Sequence, residues 1–234
     1  MSDRTSNISY VPIVTAAGRG ERMGCPKALL AVRWGEGTGE LPLAIAHARA
    51  HLDHGVPRVV VVLRPEVARL LAVFAQRGLD LVLSNAPDED GPAGSIRSGV
   101  ALLDADDDAP HAERDPWLLI EPVDTPPTSL AVRRELLSAT TREPAAVRPV
   151  FEGKRGHPVL IRRRYLEPLL DGTMSSLREL LRHLEATPPS GTSGVLDVPV
   201  GDVRAVTGFD VPSDVAAFYG HAPRFFVEDD PTNA

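Results

Sequence analysis

Residues 13 to 27, Ile-Val-Thr-Ala-Ala-Gly-Arg-Gly-Glu-Arg-Met-Gly-Cys-Pro-Lys, put glycines and cations side by side. Gly18, Gly20 and Gly24 let backbone N–H groups approach a ligand closely, and successive N–H groups form a concavity suited to anions. Arg19, Arg22 and Lys27 can add charge-assisted hydrogen bonds to phosphate oxygens. An apolar run from Tyr10 to Val14 precedes the loop and reads as a buried strand. The segment therefore reads as a cradle for a triphosphate at the carboxyl end of a first strand.

Spacing separates this loop from other glycine motifs. The Walker A pattern places a hydroxyl directly after its lysine, to hold Mg²⁺, whereas Ala28 follows Lys27. The dinucleotide fingerprint is G-x-G-x-x-G, and here the spacing is Gly18-x-Gly20-x-x-x-Gly24, one residue too long. Dinucleotide loops also leave the pyrophosphate to a helix N-terminus and need no cation cluster. A solvated surface turn is the plain alternative.

Further residues can join the cradle. The run Trp117 to Asp124 reads as a strand ending in a carboxylate, stopped by Thr125-Pro126-Pro127. A carboxylate there faces the same crevice as the glycine loop. Mg²⁺ favours one or two carboxylates together with phosphate oxygens, which makes Asp124 its candidate anchor; the alternative is an N-cap for the following helix. Asp210 and Asp214, in Thr207-Gly-Phe-Asp-Val-Pro-Ser-Asp, offer a second carboxylate, although capping of a last helix over Val215–Tyr219 also explains them. Asn85 after a strand, then Gly91, Ser95 and Gly99 around a helix start, present amide and hydroxyl groups suited to a base and ribose. His157 stands beside Arg155 and Gly156 on a bend, where it could meet an anionic acceptor.

These motifs together resemble one family. A-A-G-x-G-x-R-M-G-x-x-K after a first strand is similar to the signature loop of the molybdenum-cofactor nucleotidyltransferase-like (MobA-like NTP transferase) proteins, and the likeness extends over roughly residues 9 to 219. The resemblance implies a Mg²⁺-dependent nucleotidyltransferase in which an acceptor phosphate attacks a nucleoside triphosphate and pyrophosphate leaves. It assigns Arg19, Lys27 and Asp124 to catalysis, Ala16, Ala17, Gly18, Gly20, Asn85, Gly91 and Ser95 to the nucleotide, and Asp124 with Asp210 to the metal. Asp214 then remains a helix cap. Gly156-His157-Pro158-Val159-Leu160 resembles the R-G-H-P-V-L segment of the cytidylyltransferases, which implies acceptor contacts at Gly156 and His157. Ala16-Ala17-Gly18 is also closer to the cytidylyltransferase loop than to the A-G-G loop of guanylyltransferases, so the expected nucleotide is CTP. A molybdopterin-type cofactor is the leading acceptor and a sugar or alcohol phosphate the alternative, because Gly172 to Arg178 departs from the family's next segment.

Two other classes are compatible with parts of the sequence: an idle nucleotide-binding module on the same fold, and a nicotinamide oxidoreductase. An idle module has no need of Arg19, Lys27 and Asp124 together; an oxidoreductase is disfavoured by the loop spacing, although Arg64 could read a 2′-phosphate.

The elements that must position these residues alternate along the chain. Strands are expected at 10–15, 58–63, 79–84, 117–121, 145–151, 158–161 and 195–200, and helices at 41–54, 65–77, 94–103, 128–140, 163–170 and 175–184. The alternation predicts a single-domain α/β fold, a doubly wound and mostly parallel sheet with helices on both faces. The domain is expected over residues 8–220, with a nucleotide half at 8–125, an acceptor half at 126–220 and loose tails at 1–7 and 221–234.

Composition fits this frame. With 234 residues and a formal net charge of −7, the chain offers no basic face for nucleic acid or an anionic membrane. Cys25 is the sole cysteine, so no disulfide framework or cysteine metal site is expected. No apolar run reaches membrane-span length and no signal-peptide core opens the chain, so a cytoplasmic enzyme is expected. The acidic run Asp104-Ala-Asp-Asp-Asp108 reads as a solvated loop, and oligomeric state is left open, a monomer being compatible.

Overall fold

The computed structural model describes residues 9–35, 39–84, 91–105 and 115–227. Ten strands and seven helices follow one another as β1 (Tyr10–Thr15), β2 (Ala31–Arg33), β3 (Glu40–Pro42), α1 (Leu43–Leu52), β4 (Val59–Leu63), α2 (Pro65–Leu71), β5 (Leu79–Leu83), α3 (Gly91–Asp104), β6 (Trp117–Pro122), α4 (Leu130–Ala139), β7 (Ala146–Phe151), β8 (Lys154–Arg155), β9 (Val159–Arg162), α5 (Glu167–Leu170), α6 (Leu177–Ala186), β10 (Val195–Pro199) and α7 (Pro212–Tyr219).

The main sheet runs β10-β7-β9-β6-β1-β4-β5, with β8 added beside β7. β5, β4, β1 and β6 are parallel neighbours, β9 lies antiparallel between β6 and β7, and β10 is parallel to β7. The chain leaves β1 toward β4 and β5, then crosses back to β6 on the other side of β1. Loops after β1 and β6 therefore diverge around one crevice, the switch point at which open α/β sheets bind ligands.

Burial explains the strand choice. β4, Val-Val-Val-Val-Leu, is buried along its whole length, as befits a strand covered on both faces. Val14, Val59, Val61 and Leu63 face α1, α2 and α7. Ile13, Val60, Val62 and Leu118 face the opposite way, toward α3, α5 and α6. Leu119 and Leu160 meet Val132 and Leu136 of α4. Gly99 is a packing glycine rather than a nucleoside contact, since a Cβ there would lie 2.8 Å from Ile13 Cγ2.

The doubly wound sheet matches the expectation, with differences at the edges. The β2–β3 hairpin was not foreseen, because three-residue strands carry too little periodicity to read. α2 ends at Leu71 and continues only as one 3₁₀ turn, Ala72–Phe74, not as helix to residue 77. Gly78 has φ +84° in the turn before β5, where a Cβ would meet the Pro57 carbonyl at 2.5 Å. Beyond α7, in the stretch expected as a tail, the Arg224 carbonyl accepts from Ala31 N (2.8 Å) and Phe226 N donates to the Leu29 carbonyl (2.9 Å).

Candidate active site

The glycine loop leaves β1 at Thr15 and is tied down immediately, Ala16 N donating to the Val62 carbonyl of β4 at 2.9 Å. Ala16 itself is buried in the core, and its methyl does not reach the crevice. The loop then turns at Gly20, φ +67°, where a Cβ would lie 2.0 Å from the Cys25 carbonyl oxygen; only glycine fits. A 3₁₀ turn over Glu21–Met23 buries Met23 as its anchor and closes on Gly24 at φ +80°. Pro26 then starts a second 3₁₀ turn, Lys27–Leu29, with Ala28 and Leu29 buried. Two apolar anchors thus hold a polar loop with its cations outward. Cys25 lies beside the core; burial raises its thiol pKa, which suits a small loop residue rather than a nucleophile.

Across the crevice, the loop after β6 presents Asp124. Val123 N donates to the Thr15 carbonyl (3.1 Å) and Phe209 N donates to the Asp124 carbonyl (2.7 Å), so the peptides around this aspartate are held by β1 and by the segment before α7. Lys27 Nζ lies 3.2 Å from Asp124 Oδ2 and 3.5 Å from Asp210 Oδ1, its side chain 15% exposed against 42% and 61% for the carboxylates. Arg22 also reaches Asp210, at 3.7 Å. Asp214 caps α7 as expected, accepting from Asp210 N (2.7 Å) and Val211 N (3.0 Å). That cap orients the turn on which Asp210 stands.

The crevice is a cleft of about 740 Å³ in which Ala17, Gly18, Arg19 and Gly20 face Gly91 and Ser95, with Lys27, Asp124 and Asp210 at one end. Arg64, paired with Glu66 at 2.7 Å, stands on its wall. Asn85 lies outside the described residues, as do residues 106–108 of the acidic run; Asp104 pairs with Arg163 at 2.6 Å.

Gly156 and His157 do not line this cleft. Gly156 is buried, and a Cβ there would meet the Ala205 carbonyl oxygen at 1.9 Å, so its glycine identity is explained by backbone packing. His157 N donates to the same carbonyl at 2.8 Å. The His157 ring reaches solvent, yet it is crowded enough that poor solvation lowers its pKa, against the upward pull of the Asp124 carboxylate. Asp124 therefore lies near enough for its charge to act on this ring.

One polar cluster went unread in the sequence. Glu121 of β6 is fully buried; its Oε1 accepts from Thr128 N (2.9 Å) and from the Thr128 hydroxyl, and its Oε2 lies 2.9 Å from His51 Nε2. His47 Nδ1 is 3.1 Å from Oε1, without the alignment of a hydrogen bond, while His47 Nε2 is 2.9 Å from the Thr125 carbonyl and must donate to it. His51 Nδ1 faces Arg133 Nη1 at 3.2 Å, a group that only donates, so His51 is neutral with its proton on Nε2. Burial, the larger influence, lowers the His51 pKa accordingly. Burial alone would raise Glu121, but the close approach of His47 and the hydrogen bond from His51 Nε2 outweigh it and hold the carboxyl well below its usual range. The available signal was a glutamate inside an apolar run, with histidines four residues apart on a neighbouring helix.

A glycine-rich loop, cations and paired carboxylates at the switch point of a doubly wound sheet define a class that handles nucleoside phosphates. Residues 12–187 match the model of the MobA-like NTP transferase domain, and the chain belongs to that family of nucleotidyltransferases. A probable molybdenum cofactor guanylyltransferase of Bacillus mycoides is 29% identical over 88% of both chains. A molybdenum cofactor guanylyltransferase of Pseudomonas paraeruginosa is 34% identical over 57% of both. Among solved structures, Rv0371c from Mycobacterium tuberculosis superposes with a TM-score of 0.66 at 19% identity, covering 92% of this chain and 99% of that one. A nucleotidyl transferase from Methanothermobacter gives 0.63 at 18% identity, covering 92% and 98%. These two superpositions show the shared fold.

Proposed function

We propose that this nucleotidyltransferase moves a guanylyl group from GTP to the phosphate of a molybdopterin-type acceptor, with Mg²⁺ in the cleft. The carrying observation is the convergence of Lys27, Asp124 and Asp210 opposite the glycine loop. In this reading the acceptor phosphate oxygen bonds to the α-phosphorus, the bond to the α–β bridging oxygen breaks, and pyrophosphate leaves. An ionised phosphate needs no general base. Arg19 and Lys27 offset the charge gathering on the triphosphate, and the loop amides orient it.

The donor set suits Mg²⁺. Among the described residues no group of three His, Cys, Asp or Glu side chains is placed to hold a metal ion by itself; Asp124 and Asp210 would hold the ion, and phosphate oxygens and water would complete it. When bound, such an ion neutralises phosphate charge. The nucleotide half, 8–125, carries the cradle; the acceptor half, 126–220, brings Asp210 and His157, with Gly156 packed against Ala205 in the bend before it.

GTP replaces the expected CTP in this reading because the relatives are named guanylyltransferases. The expectation of CTP came from the likeness of Ala16-Ala17-Gly18 to the cytidylyltransferase loop, in which Ala17 replaces a glycine. Ala17 lines a broad cleft of about 740 Å³, toward the roomy end of small-molecule sites, and one methyl there sets no strong limit on a purine. The single cysteine of the sequence suits a reducing cytoplasm, and no helix among the described residues is long and apolar enough to cross a membrane.

Pyrophosphate release measured with each of the four nucleoside triphosphates, Mg²⁺ and molybdopterin tests the reading. Release fastest with GTP is expected. Faster release with CTP would overturn the nucleotide assignment, and release only with a sugar phosphate as acceptor would overturn the acceptor.

A further inference from the structure

We infer that His47, buried beside Glu121, is a positioning residue that fixes the backbone presenting Asp124 to the metal. The inference rests on the reading of Asp124 as a metal ligand. The loop from β6 to α4 begins beside Glu121 and ends at Thr128, and Glu121 Oε1 ties these two ends together through Thr128 N at 2.9 Å and the Thr128 hydroxyl. The middle of the loop carries two prolines, Pro126 and Pro127, which have no N–H to tether it. His47 supplies the missing tether from α1: its Nε2 holds the Thr125 carbonyl at 2.9 Å, one residue past Asp124. The Thr125 hydroxyl closes back on the Pro122 carbonyl at 2.9 Å. On the other flank, Phe209 N holds the Asp124 carbonyl itself at 2.7 Å.

Asp124 is therefore followed by two successive backbone carbonyls, its own and that of Thr125, each gripped from outside the loop, while Val123 N before it is held by the Thr15 carbonyl. Its carboxylate can change rotamer but its Cα cannot drift. His47 and Glu121 are both fully buried and line no part of the cleft, so neither touches substrate. A buried carboxylate flanked by two histidines is a costly choice where an apolar core would serve for stability alone. Its one geometric output toward the cleft is the placement of this loop. Outer groups of this kind, which aim a metal ligand without touching the metal, typically change metal affinity by about 10- to 100-fold when removed.

The test compares His47→Leu, which fills the space but drops the tether, with His47→Gln, whose amide can still donate to the Thr125 carbonyl. Thr128→Val, which removes the hydroxyl contact to Glu121 and keeps the backbone N–H, serves if His47→Leu does not fold. Mn²⁺ affinity is read by electron paramagnetic resonance of the free ion in the presence of GTP, and GTP affinity is read separately without metal. His47→Leu or Thr128→Val is expected to weaken Mn²⁺ about tenfold or more with metal-free GTP binding within about twofold of wild type, and His47→Gln to recover most of that loss. Mn²⁺ affinity unchanged in the folded variants, or lost equally in His47→Leu and His47→Gln, overturns the positioning role. Asp124→Asn separates the premises: if it too leaves Mn²⁺ affinity unchanged, the metal reading of Asp124 fails as well, whereas a loss confined to Asp124→Asn overturns His47 alone.

Discussion

Lys27 Nζ and Asp124 Oδ2 lie 3.2 Å apart although 97 positions separate them in the chain. The contact joins the loop after β1 to the loop after β6, the two loops that diverge at the switch point. Lys27 also reaches Asp210, so one ammonium stands between two carboxylates that would otherwise repel each other. In the proposed function the lysine would turn to phosphate oxygens as the two carboxylates take up Mg²⁺.

Replacing Lys27 by Met keeps the length of the stem and removes the charge. Turnover should fall on the order of 100-fold, about 3 kcal/mol of transition-state stabilisation, with the fold retained. Steady-state pyrophosphate release together with circular dichroism checks this; a folded Lys27→Met protein of wild-type rate would remove the lysine from the chemistry.

Asp210 and Asp214 should separate cleanly. Asp214→Ala loses the cap on Asp210 N and Val211 N and should cost about 1 kcal/mol of stability, seen as a lower Cm in urea. Asp210→Ala should leave stability near wild type and raise the Mg²⁺ concentration needed for half-maximal turnover. If the two variants exchange these behaviours, the roles are reversed.

Gly20→Ala confronts the loop with a left-handed backbone, about 1–2 kcal/mol by itself, and with the Cys25 carbonyl that its Cβ would strike. GTP binding measured by calorimetry should be lost before the fold is. Gly24→Ala meets no atom within 4 Å and carries the backbone strain alone, so it should retain more binding. Equal retention in both would mean that the turn does not shape the cradle.

The Ala17 methyl should matter little. Ala17→Gly is expected to change the ratio of GTP to CTP turnover by less than about threefold, below the usual worth of a discriminating methyl. A larger shift toward GTP would restore Ala17 as the nucleotide selector.

Acid should weaken the fold in a defined order. His51 has a lowered pKa in the folded chain, so as pH falls below its ordinary value of 6.5 the unfolded chain takes up a proton that the folded chain refuses, and stability drops. Glu121, held below its ordinary 4.5, adds a second loss as pH falls further. His157, also lowered, contributes in the first window. Tm followed from about pH 7.5 down to about pH 4 should decline through both windows, and His51→Gln should flatten the upper one. A wild-type Tm constant between about pH 6.5 and about pH 5 would contradict the neutral assignment of His51.

The parts of the molecule that were legible in the sequence are those set by local pattern. β1 and the glycine loop announce themselves through an apolar run and through clustered glycines, of which Gly20 and Gly24 take positive φ angles. Asp124 was readable because a carboxylate followed by prolines marks a strand end. The Glu121 cluster was not, because its partners His47 and His51 lie on α1, some seventy positions away, and only the packing of that helix on the sheet brings them together. Gly156 misled for a related reason: a glycine required by the carbonyl of Ala205 looks, in sequence, the same as one required by a ligand.

The most direct measurement follows the α-phosphate itself. GTP labelled at its α-phosphorus is incubated with molybdopterin, Mg²⁺ and either wild-type protein or Asp124→Ala. The account predicts that label moves to the acceptor in step with pyrophosphate released, and that folded Asp124→Ala transfers on the order of 100-fold more slowly. Label that stays on the nucleotide while the wild-type protein binds GTP, or transfer undiminished in Asp124→Ala, would contradict it.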